Sequence, residues 1–132
     1  MVPFEFQMVG LSVALGFIHI IAASHSASLQ RGYRWTASAR DEPLIPLVGV
    51  AGRLARALDN FCETFPFFAA LAIAVVVAGK GGALSQWGAG LYFAGRLAYL
   101  PLYAMGVPLV RSLVWNIAAL GIGMLLIALF RS

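Results

Sequence analysis

A cluster of charged and amide side chains interrupts an otherwise apolar stretch between Gly52 and Pro66, where the sequence reads GRLARALDNFCETFP. The residues that follow, from 64 to 79, carry no charge. On a helix that turns about 100° per residue, most of the polar side chains share one face of roughly 80°. Ionisable groups in a membrane-spanning helix usually face other helices or a solvated cavity, because contact with lipid is costly. The pattern therefore predicts a polar site at the edge of a membrane. The side chains that share this face are Arg53, Arg56, Asn60 and Glu63.

Apolar segments account for almost the whole chain of 132 residues, of which 61% are hydrophobic and 11% are charged. This composition excludes an ordinary soluble domain. Each segment approaches the ~20 residues that a helix needs to cross the hydrocarbon core of a bilayer. We expect an all-α fold, an integral membrane four-helix bundle that forms a single domain over residues 1–132. The expected helices span about 4–30, 49–79, 83–105 and 109–130.

Most of the arginines gather at one end of the expected bundle. The net charge of +4 does not indicate a nucleic-acid partner, because no soluble basic domain carries it; membrane arginines more often set topology or contact lipid headgroups. The positive-inside rule places the long first loop in the cytoplasm and both termini outside. We expect a multi-pass protein of the bacterial inner membrane, with its first segment retained because it lacks a basic start and a clear cleavage site. The clustered arginines are Arg31, Arg34, Arg40, Arg53, Arg56 and Arg111.

A second polar face is expected in the third segment, where Arg96, Tyr99 and Tyr103 recur at helical spacing. At about 1.5 Å per residue, Glu63 lies roughly 24 Å from the outer end of its helix. The two tyrosines reach a similar or slightly shallower level, so two polar faces meet near the cytoplasmic headgroups. Guanidinium groups suit carboxylates, and amide, carboxylate and hydroxyl groups suit the rest of a peptide. This lining favours a small zwitterion with several carboxylates. The alternative is a purely structural ion pair between Arg96 and Glu63.

These two motifs resemble those of the MAPEG family, the membrane-associated proteins in eicosanoid and glutathione metabolism. The second helix of that family carries an Arg-x-x-Arg-Ala-x-x-Asn-x-x-Glu-x-x-Pro pattern, which RLARALDNFCETFPFF matches. The third helix carries an Arg-x-x-Tyr-x-x-x-Tyr pattern, which RLAYLPLY matches. The resemblance extends over nearly the full chain. It implies a homotrimer that binds glutathione, as a co-substrate, between neighbouring subunits near the cytoplasmic side.

The resemblance also implies roles for individual residues. Arg56 would bind a carboxylate of glutathione, and Asn60, Glu63 and Tyr103 would hold its γ-glutamyl or peptide portion. In family enzymes an arginine near the start of the fourth helix stabilises the glutathione thiolate. The remaining roles would fall to Arg111 and Arg34 as catalytic candidates, to Arg53, Tyr99 and Arg31 as further binding residues, and to Arg96 and Pro66 as structural residues. Asp59 departs from the expected pattern, because it adds a negative charge beside a site for an anionic tripeptide.

We therefore interpret the chain as a membrane glutathione transferase, with peroxidase as an additional candidate activity, that acts on hydrophobic electrophiles arriving from lipid. One alternative is a non-catalytic family member that binds a lipid or a partner protein in the same cleft. Another, less favoured, is a small transporter. A transport path should be lined by polar residues through to the other side of the membrane, whereas the polar residues here gather at one level. No metal site is expected, and the single Cys62 is interpreted as an apolar filler. For His19 and His25 we expect hydrogen bonds between helices rather than a metal or proton-relay role.

Overall fold

A computed structural model of the protein describes residues 1–41 and 43–131, and this part of the chain is helical, without strands. One short helix lies in the long first connection, which the sequence did not predict. The described elements are α1 (Phe4–Arg31), α2 (Tyr33–Thr36), α3 (Gly49–Val77), α4 (Ala83–Met105) and α5 (Pro108–Phe130).

Three of the long helices, α1, α3 and α5, are long and apolar enough to cross a membrane. Their most apolar stretches have mean hydropathies of 1.9, 1.8 and 2.3. Within the described residues, α4 does not reach the same level, because its 23 residues include several glycines and tyrosines together with Arg96. The fold is therefore all-helical with three candidate spans, which fit a multi-pass membrane protein.

Small residues allow α4 and α5 to pack closely. They occur in the sequence GAGLYFAG of α4 and in the sequence AALGIGM of α5. A Cβ atom placed on Gly95 would lie 2.9 Å from the carbonyl oxygen of Val114. A Cβ atom on Gly88 would lie 2.8 Å from the carbonyl oxygen of Gly121. Real Cβ atoms do not approach backbone oxygens this closely, so the two helix backbones touch where side chains are missing.

The first connection is held to the ends of the helices that it joins. The side-chain amide of Gln30 donates to the carbonyl of Val48 and accepts from its backbone N–H, each at 3.0 Å. Arg31 Nε donates to the carbonyl of Ile45 at 2.8 Å. These bonds place the end of α1 beside the start of α3. The charged residues of the connection therefore lie at the same end of the subunit as Arg53.

A buried hydrogen bond fixes the opposite end, where the Ser85 hydroxyl of α4 donates to the Glu5 carboxylate of α1. Between the two ends, Phe68 of α3 stacks on Tyr92 of α4 with ring centroids 3.9 Å apart. Both rings are fully buried. The helices α1, α3 and α4 are therefore locked together along their lengths, and this sets the register of the polar faces described below.

Candidate functional site

The polar faces of α3 and α4 are joined by a hydrogen bond from Arg96 to Asn60. Arg96 Nη1 donates to Asn60 Oδ1 at 2.9 Å, and the Arg96 side chain is fully buried. The alternative ion pair between Arg96 and Glu63 is not formed: the Nε and Nη2 atoms of Arg96 have no hydrogen-bond partner in the part of the chain that the structure describes, and the Glu63 side chain is exposed. The two motifs therefore meet at an arginine–amide contact between α3 and α4.

Two arginines and two tyrosines form a continuous series of contacts from α4 to α5. The Arg96 guanidinium lies 4.7 Å from the ring centroid of Tyr99, and the ring of Tyr99 packs edge-on to Tyr103 at 5.3 Å. The Arg111 guanidinium in turn lies 4.5 Å from the ring centroid of Tyr103. Cation–π contacts of this kind stabilise a guanidinium against an aromatic face. They connect the α4 motif to Arg111. The spacing of Arg111 from Tyr103 in the sequence did not predict this contact.

Asn60, Tyr99 and Arg111 line one open cavity of about 390 Å³. This is where the structure brings residues from α3, α4 and α5 together. Three further residues of α5 line the same cavity and were not predicted from the sequence, because no motif includes them: Ser112, Trp115 and Asn116.

The α5 residues of the cavity add hydrogen-bond acceptors to its donors. The Ser112 hydroxyl donates to the carbonyl of Pro108 at 3.1 Å, and the Asn116 amide donates to the carbonyl of Ser112 at 2.8 Å. Their side-chain oxygens remain as acceptors. The Arg111 guanidinium supplies a positive charge in the same cavity. The cavity therefore suits a ligand that carries both an anionic group and N–H donors.

The other residues of the α3 motif differ in their exposure. Arg53 is half-buried, and its Nε donates to the carbonyl of Ala104 at 2.8 Å, which ties α3 to the end of α4. Arg56 and Glu63 are exposed on the surface of the chain. Pro66 is also exposed, and α3 continues through it as one helix. Arg53 thus has a structural contact, whereas Arg56 and Glu63 are open to a ligand or a neighbouring molecule.

Arg31 and Arg34 lie apart from the cavity of Asn60 and Arg111. They line a second cavity, of about 600 Å³, together with Trp35 and Asp41. The Arg31 guanidinium lies 5.1 Å from the ring centroid of Trp35. Within the chain the structure therefore groups Arg111, and not Arg34, with the residues of the two motifs.

The expectation of an interhelical hydrogen bond at His19 is wrong. The His19 ring is 1% exposed, and neither of its nitrogens has a hydrogen-bond partner among the described residues. Its centroid lies 4.9 Å from that of Phe61, so the ring packs on an aromatic face instead. His25 is exposed, and its Nδ1 is 3.1 Å from the hydroxyl of Tyr33 in α2. The first histidine is a packing residue between α1 and α3.

The chain matches one known protein family over the range that contains these residues. The model of the MAPEG family matches residues 8–131, which include all of α3, α4 and α5. No curated protein matched the sequence. The matched range contains both polar motifs, the cavity that joins them and the helices that hold them. The chain therefore belongs to the MAPEG family.

Proposed function

We propose that the chain is the subunit of a homotrimeric, membrane-bound glutathione transferase, with peroxidase as a second candidate activity, whose four long helices form a four-helix bundle in the membrane. Membership of the MAPEG family supports a function of the glutathione-transferase or eicosanoid type at the level of the family. The observation that carries the proposal is the cavity where Asn60 and Tyr99 meet Arg111. It places a guanidinium beside the polar groups that would hold a peptide.

The exposure of charged residues on α3 supports an assembly of several subunits. Arg56, Asp59 and Glu63 are exposed, although they lie on a helix with a mean hydropathy of 1.8 over its most apolar stretch. Exposing three charged groups to lipid would be costly, so another polar surface is expected to cover them. A neighbouring subunit would bring a second set of polar residues to this face. Arg31 and Arg34, which lie apart within one subunit, would then reach the site from the neighbour.

The proposed reaction begins with activation of the glutathione thiol. A thiol with a pKa of ~8.5 is mostly protonated at neutral pH, and the thiolate is the nucleophile. The guanidinium of Arg111 would stabilise the thiolate while the proton passes to water. The sulfur would then attack an electrophilic carbon, form a carbon–sulfur bond and release the leaving group with its electron pair. Arg56, Glu63 and Tyr103 would hold the remainder of glutathione during this step.

The setting of the reaction follows from the membrane helices. A hydrophobic electrophile would enter from the lipid, since the motif residues lie on helices that border the bilayer. The positive-inside rule assigns the long first connection to the cytoplasm and both termini to the outside of a bacterial inner membrane. In this arrangement α4 would be the fourth span, shielded from lipid by its close contact with α5.

The test uses the purified protein in detergent, with thermal unfolding and turnover of a chlorodinitrobenzene-type electrophile measured at increasing glutathione concentrations. We expect saturable stabilisation and turnover. Arg56→Ala and Glu63→Gln should each abolish the stabilisation, because each removes a group that would contact glutathione. If both variants remain stabilised by glutathione, the proposed site is wrong.

Matched controls separate the site from general effects of charge. Asp59→Asn makes the same isosteric change as Glu63→Gln one turn away, and we expect it to keep or strengthen glutathione binding because it removes a negative charge. Arg131→Ala removes an exposed arginine at the other end of the subunit and should leave binding unchanged. Stabilisation without turnover would instead favour a non-catalytic member of the family that binds a ligand in this cleft.

A further inference from the structure

The buried charge of Arg96 is only partly compensated within the subunit. Its side chain is 0% exposed, and its one hydrogen bond goes to the neutral amide of Asn60. Its Nε and Nη2 atoms have no hydrogen-bond partner among the described residues. The rings of Tyr99 and Phe61, at 4.7 and 5.4 Å from the guanidinium, reduce the cost of burial without cancelling the charge. A positive charge therefore persists beside the cavity.

The contact with Arg96 also decides which way the Asn60 amide points. A guanidinium has donors only, so the atom of Asn60 that faces it must be the amide oxygen. The two N–H donors of the amide are then left for the cavity that Asn60 lines with Arg111. An amide held in this orientation recognises an acceptor and discriminates against a donor. The same buried arginine thus supplies a charge and orients a neutral donor.

We propose that Arg96 is a positioning residue that makes the cavity of Asn60, Tyr99 and Arg111 selective for an anionic group. It acts through the oriented amide of Asn60 and through its own charge. The electrostatic field of this charge extends into the cavity because the protein interior has a low dielectric constant. If the proposed function holds, on which this identification of the ligand rests, the anion is the glutathione thiolate. Arg96 then assists Arg111 without touching the sulfur.

The first experiment needs no glutathione, because Trp115 lines the cavity and reports on it directly. In a W35F/W87F background, Trp115 fluorescence is quenched either by iodide, an anion, or by acrylamide, a neutral molecule. Arg96→Gln removes the charge but keeps a donor for Asn60 Oδ1, whereas Arg96→Lys keeps the charge. We expect the ratio of iodide to acrylamide quenching to fall severalfold in R96Q and to persist in R96K. Equal ratios in the parent and both variants would overturn the proposal.

A second variant keeps the test decisive if R96Q does not fold. Asn60→Asp places a carboxylate against the guanidinium, which should preserve the contact between α3 and α4 as an ion pair. The pair neutralises the charge and replaces the amide donors with acceptors. We expect the folded N60D protein to lose the preference for iodide severalfold. A ratio equal to that of the parent would overturn the proposal.

A glutathione arm distinguishes the failure of this proposal from the failure of the proposed function. Ultraviolet absorbance of the bound thiolate should fall about tenfold in R96Q and be retained in R96K, as for a unit charge several ångström away. Equal thiolate absorbance in R96Q and R96K, with glutathione bound to both, would overturn the proposal and leave the function standing. An Arg96-dependent iodide preference in a parent protein that glutathione does not stabilise would support the anion site and reject glutathione as its ligand.

Discussion

The contact between α4 and α5 predicts a sharp response to a single methyl group at Gly95. A Cβ atom at this position would lie 2.9 Å from the carbonyl oxygen of Val114 and 3.1 Å from the Cβ atom of Ala118. Comfortable contacts between carbon atoms are about 3.5–4.0 Å. Gly95→Ala should therefore push the two helices apart by roughly 0.5–1 Å. Backbone atoms form most of this contact, so rotation of a side chain cannot relieve it.

The expected loss follows from overpacking of a closely packed interior, which costs about 1–3 kcal/mol. Alanine also has a higher helix propensity than glycine, by up to about 1 kcal/mol, and this gain offsets part of the loss. Gly10→Ala and Gly123→Ala measure the gain alone, because a Cβ atom at either position meets nothing within 4 Å in the subunit. We expect G95A to be less stable than these controls by about 2 kcal/mol.

The assay is thermal unfolding of the purified protein in one detergent, followed by circular dichroism. A difference of about 2 kcal/mol corresponds to a midpoint lower by several degrees than that of the controls. Because Tyr103 lies on α4 and Arg111 on α5, separating the two helices should also lengthen the contact between Tyr103 and Arg111. A midpoint for G95A equal to those of both controls would refute the close contact between α4 and α5.

Two further predictions concern the ends of the helices. Ser85→Ala removes the hydroxyl that donates to the buried Glu5 carboxylate, and should lower the free energy of unfolding by about 1–3 kcal/mol. Ser112→Ala, which removes an exposed hydroxyl, is the control in the same denaturation experiment. Equal losses in the two variants would contradict the reasoning. Gly106 ends α4 with φ = 77°, so Gly106→Ala should cost about 1–2 kcal/mol in backbone strain. Gly106→Asn should cost less, because asparagine tolerates this conformation. An alanine variant as stable as the asparagine variant would contradict this explanation.

The sequence predicted where the long helices lie along the chain, because apolar length determines this locally. The four apolar segments follow from composition and spacing alone. The sequence did not predict α2, because four residues at the start of the long connection carry no periodic pattern that favours a helix. The small residues of GAGLYFAG favour a close contact between helices in general. Which helix they contact, and its register with Gly88 opposite Gly121, depend on the packing of the whole fold.

The site was predictable in part for the same reason. Asn60, Tyr99 and Arg96 belong to motifs on regular helices, so their shared faces follow from helical spacing. Arg111 belongs to no motif, and its place depends on how Gly106 turns the chain after α4. Only the structure shows its contact with Tyr103. The hydrogen bond expected for His19 was wrong because sequence reasoning could not place the ring of Phe61 against it.

The motif on α3 meets two requirements: one side chain makes a buried contact, and two charged side chains remain exposed. Asn60 faces the interior, where its amide oxygen accepts from a fully buried arginine of α4. Arg56 and Glu63, one turn before and after it, are exposed. On a helix the Asn60 side chain differs in direction from Arg56 by about 40° and from Glu63 by about 60°, so a small rotation of α3 would bury a charge or withdraw the amide from Arg96. The bond from Arg53 to the end of α4 and the stacking of Phe68 on Tyr92 resist that rotation at two levels. The packing of α3 against α4 is therefore what keeps an exposed charged surface and a buried contact on adjacent sides of one helix.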